Sequence, residues 1–417
     1  MSLNNLLLTN LGIIFFYIYY SRAFLTKFKI DHLALMAIGI VYYWLMPLYA
    51  YEYNLFIGHH SELYNEVSLI NKKLYLSYVL IIIFSMLLGD WVSKGLTSRF
   101  SFKRFYYSKN ILDLFYWIFL GLGFFTAYYM RNVFFTSYET VNLWPYERGW
   151  FISVCASLTT LNIIHSSTHV IFPRSPKRKF DTIRIFVFNK YFISAFLFNF
   201  LMLTTGNRGY FMAFVVSIIL IHSEKNNGFK LTRIVLLMFF ILIINGSVAL
   251  IRSDQEFSIA GNIGNFVYES VNVGITLLYH IKDMDYNLME VPYVLFSKLI
   301  GIIPSIVFPG KFALMVSPEE VGKSVISYQA TTHNYVELMI NFGLIGTIFL
   351  FFFFSIGFNW LKSKKHYTPI YIGVCAQIPF FFFRSFYDAT VKYIFEFSIL
   401  LPLLILSISY VYRKYLT

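Results

Sequence analysis

The chain has 417 residues, 58% of them hydrophobic, 21% aromatic and only 13% charged, with a formal net charge of +13. A water-soluble domain carries roughly a quarter charged residues, so this composition excludes a soluble enzyme or a soluble binding module. Apolar runs of about 20 residues, enough to cross ~30 Å of hydrocarbon, recur from end to end. They predict an all-α, polytopic integral membrane protein built as a single membrane domain, 1–417.

In chain order, eleven spans are expected near 3–21, 32–51, 74–93, 111–130, 149–171, 191–206, 209–222, 234–251, 333–358, 369–386 and 393–412. The first has no basic leader and no small-residue cleavage site, and reads as a retained helix. The loops after the first, third, fifth, seventh and ninth spans, with the C-terminal tail, hold 22 of the 34 Lys and Arg residues. Most of the Asp and Glu lie in the other set of loops. Lysine and arginine in short loops mark the cytoplasmic side, so the N-terminus is expected outside and the C-terminus inside. The positive charge is then a topology signal, and no nucleic-acid partner is implied. Cys155 and Cys375 both fall inside spans, so no disulfide framework is expected.

The long connection at 252–332 is expected on the outer side. It holds two amphiphilic pieces, Asn265 to Ile281 and Val291 to Phe308, expected to lie in or dip into the outer membrane face. A membrane-crossing hairpin, giving thirteen spans, is the alternative. The remainder, Pro309 to Thr332, is polar and irregular, as a cover over a site would be.

Candidate functional residues gather at outer span ends. Arg208 sits in the turn Thr204-Thr205-Gly206-Asn207-Arg208-Gly209-Tyr210 between spans six and seven. Arg252 follows span eight. His333-Asn334-Tyr335-Val336-Glu337 opens span nine, where His333 can serve as a base or as an N-terminal cap. Arg384 closes span ten after four phenylalanines, with Asp388 in the following turn. A guanidinium at a membrane is costly unless paired and is well suited to grip a phosphate. Three of them point to a polyanion such as a lipid-linked pyrophosphate. Tyr138, Trp144, Tyr146, Tyr268, Tyr328 and Tyr335 offer faces for sugars, or an ordinary interfacial belt. Asp283-Met284-Asp285 has a D-x-D spacing and His165/His169 the spacing of a metal pair. Neither has the further ligands a metal site needs, and no metal or cofactor is expected.

The "GNRGY" arginine turn, the long outer loop and the H-N-x-x-E with Gly343 and Gly346 resemble the Wzy-type O-antigen polymerases, the oligosaccharide repeat-unit polymerases related to O-antigen ligases. The R-x10-G loop pattern of some members is absent, since Ile219 and Ile263 stand at that spacing from Arg208 and Arg252. The resemblance implies a metal-independent glycosyltransferase of GT-C-like fold in the bacterial inner membrane, working at the periplasmic face. It would join repeat units carried on undecaprenyl diphosphate, with one lipid-linked glycan as donor and another as acceptor, and a chain-length regulator as a possible partner protein. On this reading His333, Glu337 and Arg208 carry the chemistry, and Arg252, Arg384, Asn334, Asp388 and Tyr210 bind substrate. A ligase acting on lipid A core, a lipid-linked oligosaccharide flippase and a membrane acyltransferase are the competing readings.

Overall fold

The computed structural model describes residues 2–24, 27–53, 61–96, 107–136, 145–171, 189–205, 208–226, 228–230, 232–233, 259–283, 287–300, 308–314, 333–383 and 393–416. Within them the chain is helical, apart from a two-residue antiparallel ladder of Ala23–Phe24 on Lys27–Phe28 and a bridge between Phe28 and Phe229. The helices are α1 (Leu3–Arg22), α2 (His32–Glu52), α3 (Ser61–Glu66), α4 (Leu69–Leu96), α5 (Lys109–Tyr129), α6 (Pro145–Ser166), α7 (Lys190–Thr204), α8 (Arg208–Asn226), α9 (Ile259–Asp283) and α10 (Tyr293–Ile300). They are followed by α11 (334–342), α12 (344–363), α13 (Thr368–Gln377, continued by a wide turn Ile378–Phe382) and α14 (Ile394–Leu400 with Leu401–Leu416). Among the described residues five stretches are long and apolar enough to cross a membrane: His32–Glu52, Leu69–Gly95, Lys109–Tyr129, Asn334–Ser363 and Ile394–Tyr415. Their outward side chains include Phe84, Trp91, Trp117, Phe124 and Phe353, all exposed. So much bare apolar surface belongs in hydrocarbon, and the protein is membrane-embedded.

Polar contacts collect the helix ends into two groups. At one end Lys362 bridges Asp31 and Glu224, each at 3.2 Å, and Lys29 reaches Glu224 at 3.6 Å. Burial, followed by the charge of Lys362, lowers the Lys29 pKa, and Glu224 partly offsets this. Asn359 donates to Asp90 at 2.8 Å, the Ser108 N–H to Ser409 at 2.9 Å, and Lys190 pairs with Asp113. This end carries the helix termini next to the Lys- and Arg-rich loops. At the other end Tyr64 donates to Glu52 at 2.5 Å, Lys282 pairs with Glu66 at 2.6 Å, and Asn71 donates to the Ile281 and Lys282 carbonyls. We call these the inner and outer ends.

The stretch Asn334–Ser363 is not the single straight span expected from its sequence. Gly343 has φ +63° and ψ −173°, a conformation essentially confined to glycine, and the helix reverses there. Thr347 donates to the Leu338 carbonyl at 3.3 Å, whereas nine residues of straight helix span about 13.5 Å. Trp44 touches both Tyr335 (5.2 Å between ring centroids) and Phe351 (5.6 Å), residues about 24 Å apart in a straight helix. The backbone groups released at the reversal find partners in the segment after α9. Ile345 N–H donates to the Leu288 carbonyl at 2.9 Å, Leu344 N–H to Asn287 at 3.4 Å, and Glu290 N–H to Phe342 at 3.3 Å. A non-helical backbone at membrane depth needs such cover. Thus Asn334–Ser363 is a helical hairpin, with α11 its short arm and α12 its long one.

A second local departure prepares the place where α11 lands. Ile40–Leu45 of α2 forms a π-helical turn, and Pro47 follows. Proline has no N–H to give to the carbonyl four residues back, which here is Tyr43. Three consecutive carbonyls are taken up from outside: Ser270 donates to Tyr42, His333 Nε2 to Tyr43 at 2.8 Å, and Tyr75 to Trp44 at 2.8 Å. Three different helices are therefore keyed to one irregular turn.

The amphiphilic pieces of the long connection differ from expectation in length. The first is the 25-residue α9 rather than Asn265 to Ile281. It dips along α2, with Ser270 at Tyr42 and Gly274 against Pro47. The second keeps only Tyr293–Ile300 as helix, and 301–307 lies outside the described residues. Span eight, at 234–251, is also outside them.

A Cβ at Gly343 would sit 2.6 Å from the Asn287 carbonyl oxygen, on a backbone that disfavours side chains. Gly343→Ala is therefore expected to cost at least about 2 kcal/mol in detergent unfolding. Gly357→Ala, in α12 with open space around it, should fall within ~1 kcal/mol of the parent. Equal stabilities would contradict the reversal.

Candidate functional site

The start of α11 was expected at the outer membrane face. The structure places it inside the bundle, because His333 is held by Tyr43. Tyr43 stands about 16 Å along α2 from its inner end and about 14 Å from its outer end. His333 and Asn334 are both 0% exposed and Glu337 2%. His333 caps the helix: its Nδ1 accepts from the Tyr335 N–H at 3.2 Å while Nε2 donates to Tyr43. An Nδ1 that accepts carries no proton, so the ring is neutral, and both nitrogens are engaged. In this arrangement His333 is a positioning residue with no lone pair left to take a proton. Tyr335, expected among the sugar-facing aromatics, is instead core, packed on Trp44 and Tyr75.

Asn334 faces α13. Its Nδ2 donates to the Phe382 carbonyl, and its buried Oδ1 has no partner among the described residues. Glu337 lies one turn further along α11, where Asn341 Nδ2 donates to its carbonyl at 2.8 Å. Asn341 Oδ1 accepts from the Leu295 N–H at 2.9 Å, tying α11 to α10.

The arginine turn lies across the same strip of α13. Tyr210 packs on Phe381, 4.9 Å between centroids, and on Tyr393 at 5.3 Å. A Cβ at Gly209 would stand 2.8 Å from the Phe381 ring, so glycine allows the close approach. Arg208, half-buried, opens α8, and among the described residues it makes no hydrogen bond or ion pair. A cation at a helix N-terminus adds to the positive end of the dipole, and both favour an anion there. Arg148 of α6, half-buried, acts electrostatically on Tyr210 and Tyr393. The sequence reading missed it, because Glu147-Arg148 looks like one more polar loop pair.

Two groups of expected residues therefore meet the segment Ile378–Phe382, Tyr210 (two residues from Arg208) through Phe381 and Asn334 through Phe382. Arg252, Arg384 and Asp388 lie outside the described residues. The His165 and His169 rings lie tilted, 4.7 Å between centroids, at the inner end, where His165 stacks on Tyr191, and no group of metal-ligating side chains occurs among the described residues. Comparison of the chain with protein-family models, with curated proteins and with solved structures finds no match.

His333→Ala removes a cap and the imidazole donor to the Tyr43 carbonyl, and is expected to cost about 3 kcal/mol. In a Pro47→Ala background, where residue 47 regains an N–H for that carbonyl, the same change should cost at least ~1 kcal/mol less. Unfolding of the four proteins by SDS titration checks this, and additive losses would contradict the coupling.

Proposed function

We propose that the protein is a membrane glycosyltransferase that joins oligosaccharide repeat units carried on undecaprenyl diphosphate, as an O-antigen or capsular polysaccharide polymerase. The reaction would take place at the outer, periplasmic end of the bundle, with the C-terminus in the cytoplasm. The observation that carries this reading is the juxtaposition around Ile378–Phe382. A half-buried arginine without a described partner opens α8 on one side, and the buried start of α11 stands on the other. Half-helix N-termini inside membrane bundles are where anionic substrate groups are held. The leaving group of such a transfer is a diphosphate, whose charge grows as the anomeric C–O bond breaks. Arg208 is suited to stabilise it, with Arg252 and Arg384 as further cations.

The acceptor hydroxyl must lose its proton. With both nitrogens of His333 engaged, Glu337 takes the role of base, and His333 holds the helix that presents it. Asn334 Oδ1 offers a buried acceptor for a sugar hydroxyl, and Tyr210 supports the arginine turn. The neutral cap also suits this assignment, because an imidazolium could not accept the Tyr335 N–H.

The test uses purified protein with a lipid-diphosphate-linked repeat unit, read as a ladder on a gel. Arg208→Ala should leave single units. Arg208→Lys should also be slow, because an ammonium cannot reproduce a bidentate phosphate contact. Glu337→Gln should lower kcat by about 100-fold or more, with the variant still folded in the membrane. Normal ladders from Arg208→Ala and Glu337→Gln would sink the site. Transfer to lipid A core with no ladder would instead identify a ligase.

A further inference from the structure

A cavity of about 250 Å³ lies between α2, α12, α13 and α14, and every residue lining it is apolar, Met36 of α2 included. Phe354 and Phe358 form the α12 wall, Ile378 and Phe382 the α13 wall, and Ile394 and Ile399 the α14 wall. The last two are half-exposed, so the slot opens sideways at α14, toward the surface that meets hydrocarbon. Protein interiors rarely leave voids this large, and an apolar cavity stays dry. The lining suits a hydrocarbon chain. The volume falls below the ~300–1,000 Å³ of a complete small-ligand site, so the slot suits a segment of chain rather than a whole lipid.

The slot is not independent of the site described above. Phe382 closes one end, and the same residue's carbonyl receives Asn334 Nδ2. Ile394 follows Tyr393, which packs on Tyr210 two residues from Arg208. A ligand reaching from the arginine turn into the slot would be polar at one end and apolar at the other.

We propose that this slot seats the part of the polyprenyl chain nearest the diphosphate, so that the lipid tail positions the phosphates at Arg208. This rests on the proposed function for the identity of the lipid. A bulk phospholipid acyl chain could fill the same space but would have no reason to be displaced by a polyprenyl diphosphate.

The test uses the full-length protein in phosphatidylglycerol nanodiscs with a polyprenyl diphosphate carrying a diazirine on its second isoprene unit. Irradiation should label the slot walls on α12 to α14. Excess unlabelled polyprenyl diphosphate should cut labelling at least tenfold, and added phosphatidylglycerol less than twofold. Ile399→Trp and, at the rim, Ile394→Trp fill the slot and should each lower labelling about tenfold. Phe353→Trp, on an exposed face, should not change it, and the thermal melts of all three report folding. Equal competition by phosphatidylglycerol, labels mapping elsewhere, or undiminished labelling of both folded filling variants would overturn the proposal. If the slot is labelled as expected but the protein makes no glycan ladder, the tail site stands and the polymerase reading fails.

Discussion

One hydrogen bond sets the geometry of the outer half of this protein: His333 Nε2 to the Tyr43 carbonyl. The acceptor exists because Pro47 cannot supply the N–H that an uninterrupted α2 would use there. The donor reaches it because the chain turns back at Gly343 and carries α11 into the bundle. Around this bond Trp44 packs against Tyr335, Phe351 and Phe383, all fully buried. Without it, α11 would lose its anchor to α2.

Much of this was legible in the sequence, and the illegible parts have physical causes. The membrane character followed from too few charges. The alternation of basic loops agrees with the way Asp31, Glu224, Lys29 and Lys362 meet at one end. The arginine turn and the H-N-x-x-E segment were singled out, and Tyr210 of the one and Asn334 of the other do abut a common element. The reversal was not seen, because a helical hairpin and one long helix share the same apolar period. Gly343 and Gly346 were the available signal, together with a run about 45 Å long, well beyond the ~30 Å that a membrane requires. The depth of His333 was missed for the same reason. The fit of Pro47 to His333 joins residues far apart in the chain, and no local pattern encodes it. Arg148 was hidden by its bland surroundings.

The same architecture separates support from chemistry. His333 and Asn341 hold α11 by satisfying backbone groups, Gly343 lets the chain turn back, and Asn334 faces α13 while Glu337 is buried one turn along. Arg208 supplies charge from a different helix, and Gly209 lets its turn press against Phe381. Substrate charge, sugar hydroxyls and lipid tail would each meet a different part of α13 and its neighbours. On the proposed function, this division matches a substrate made of a lipid, a diphosphate and a glycan.

The most direct measurement is a cryo-EM structure in nanodiscs with a non-hydrolysable lipid-diphosphate-linked repeat unit bound. The account predicts density that reverses at Gly343, His333 on Tyr43, and the diphosphate between Arg208 and the start of α11. A continuous straight helix over 334–363, or a diphosphate bound away from Arg208, would contradict it.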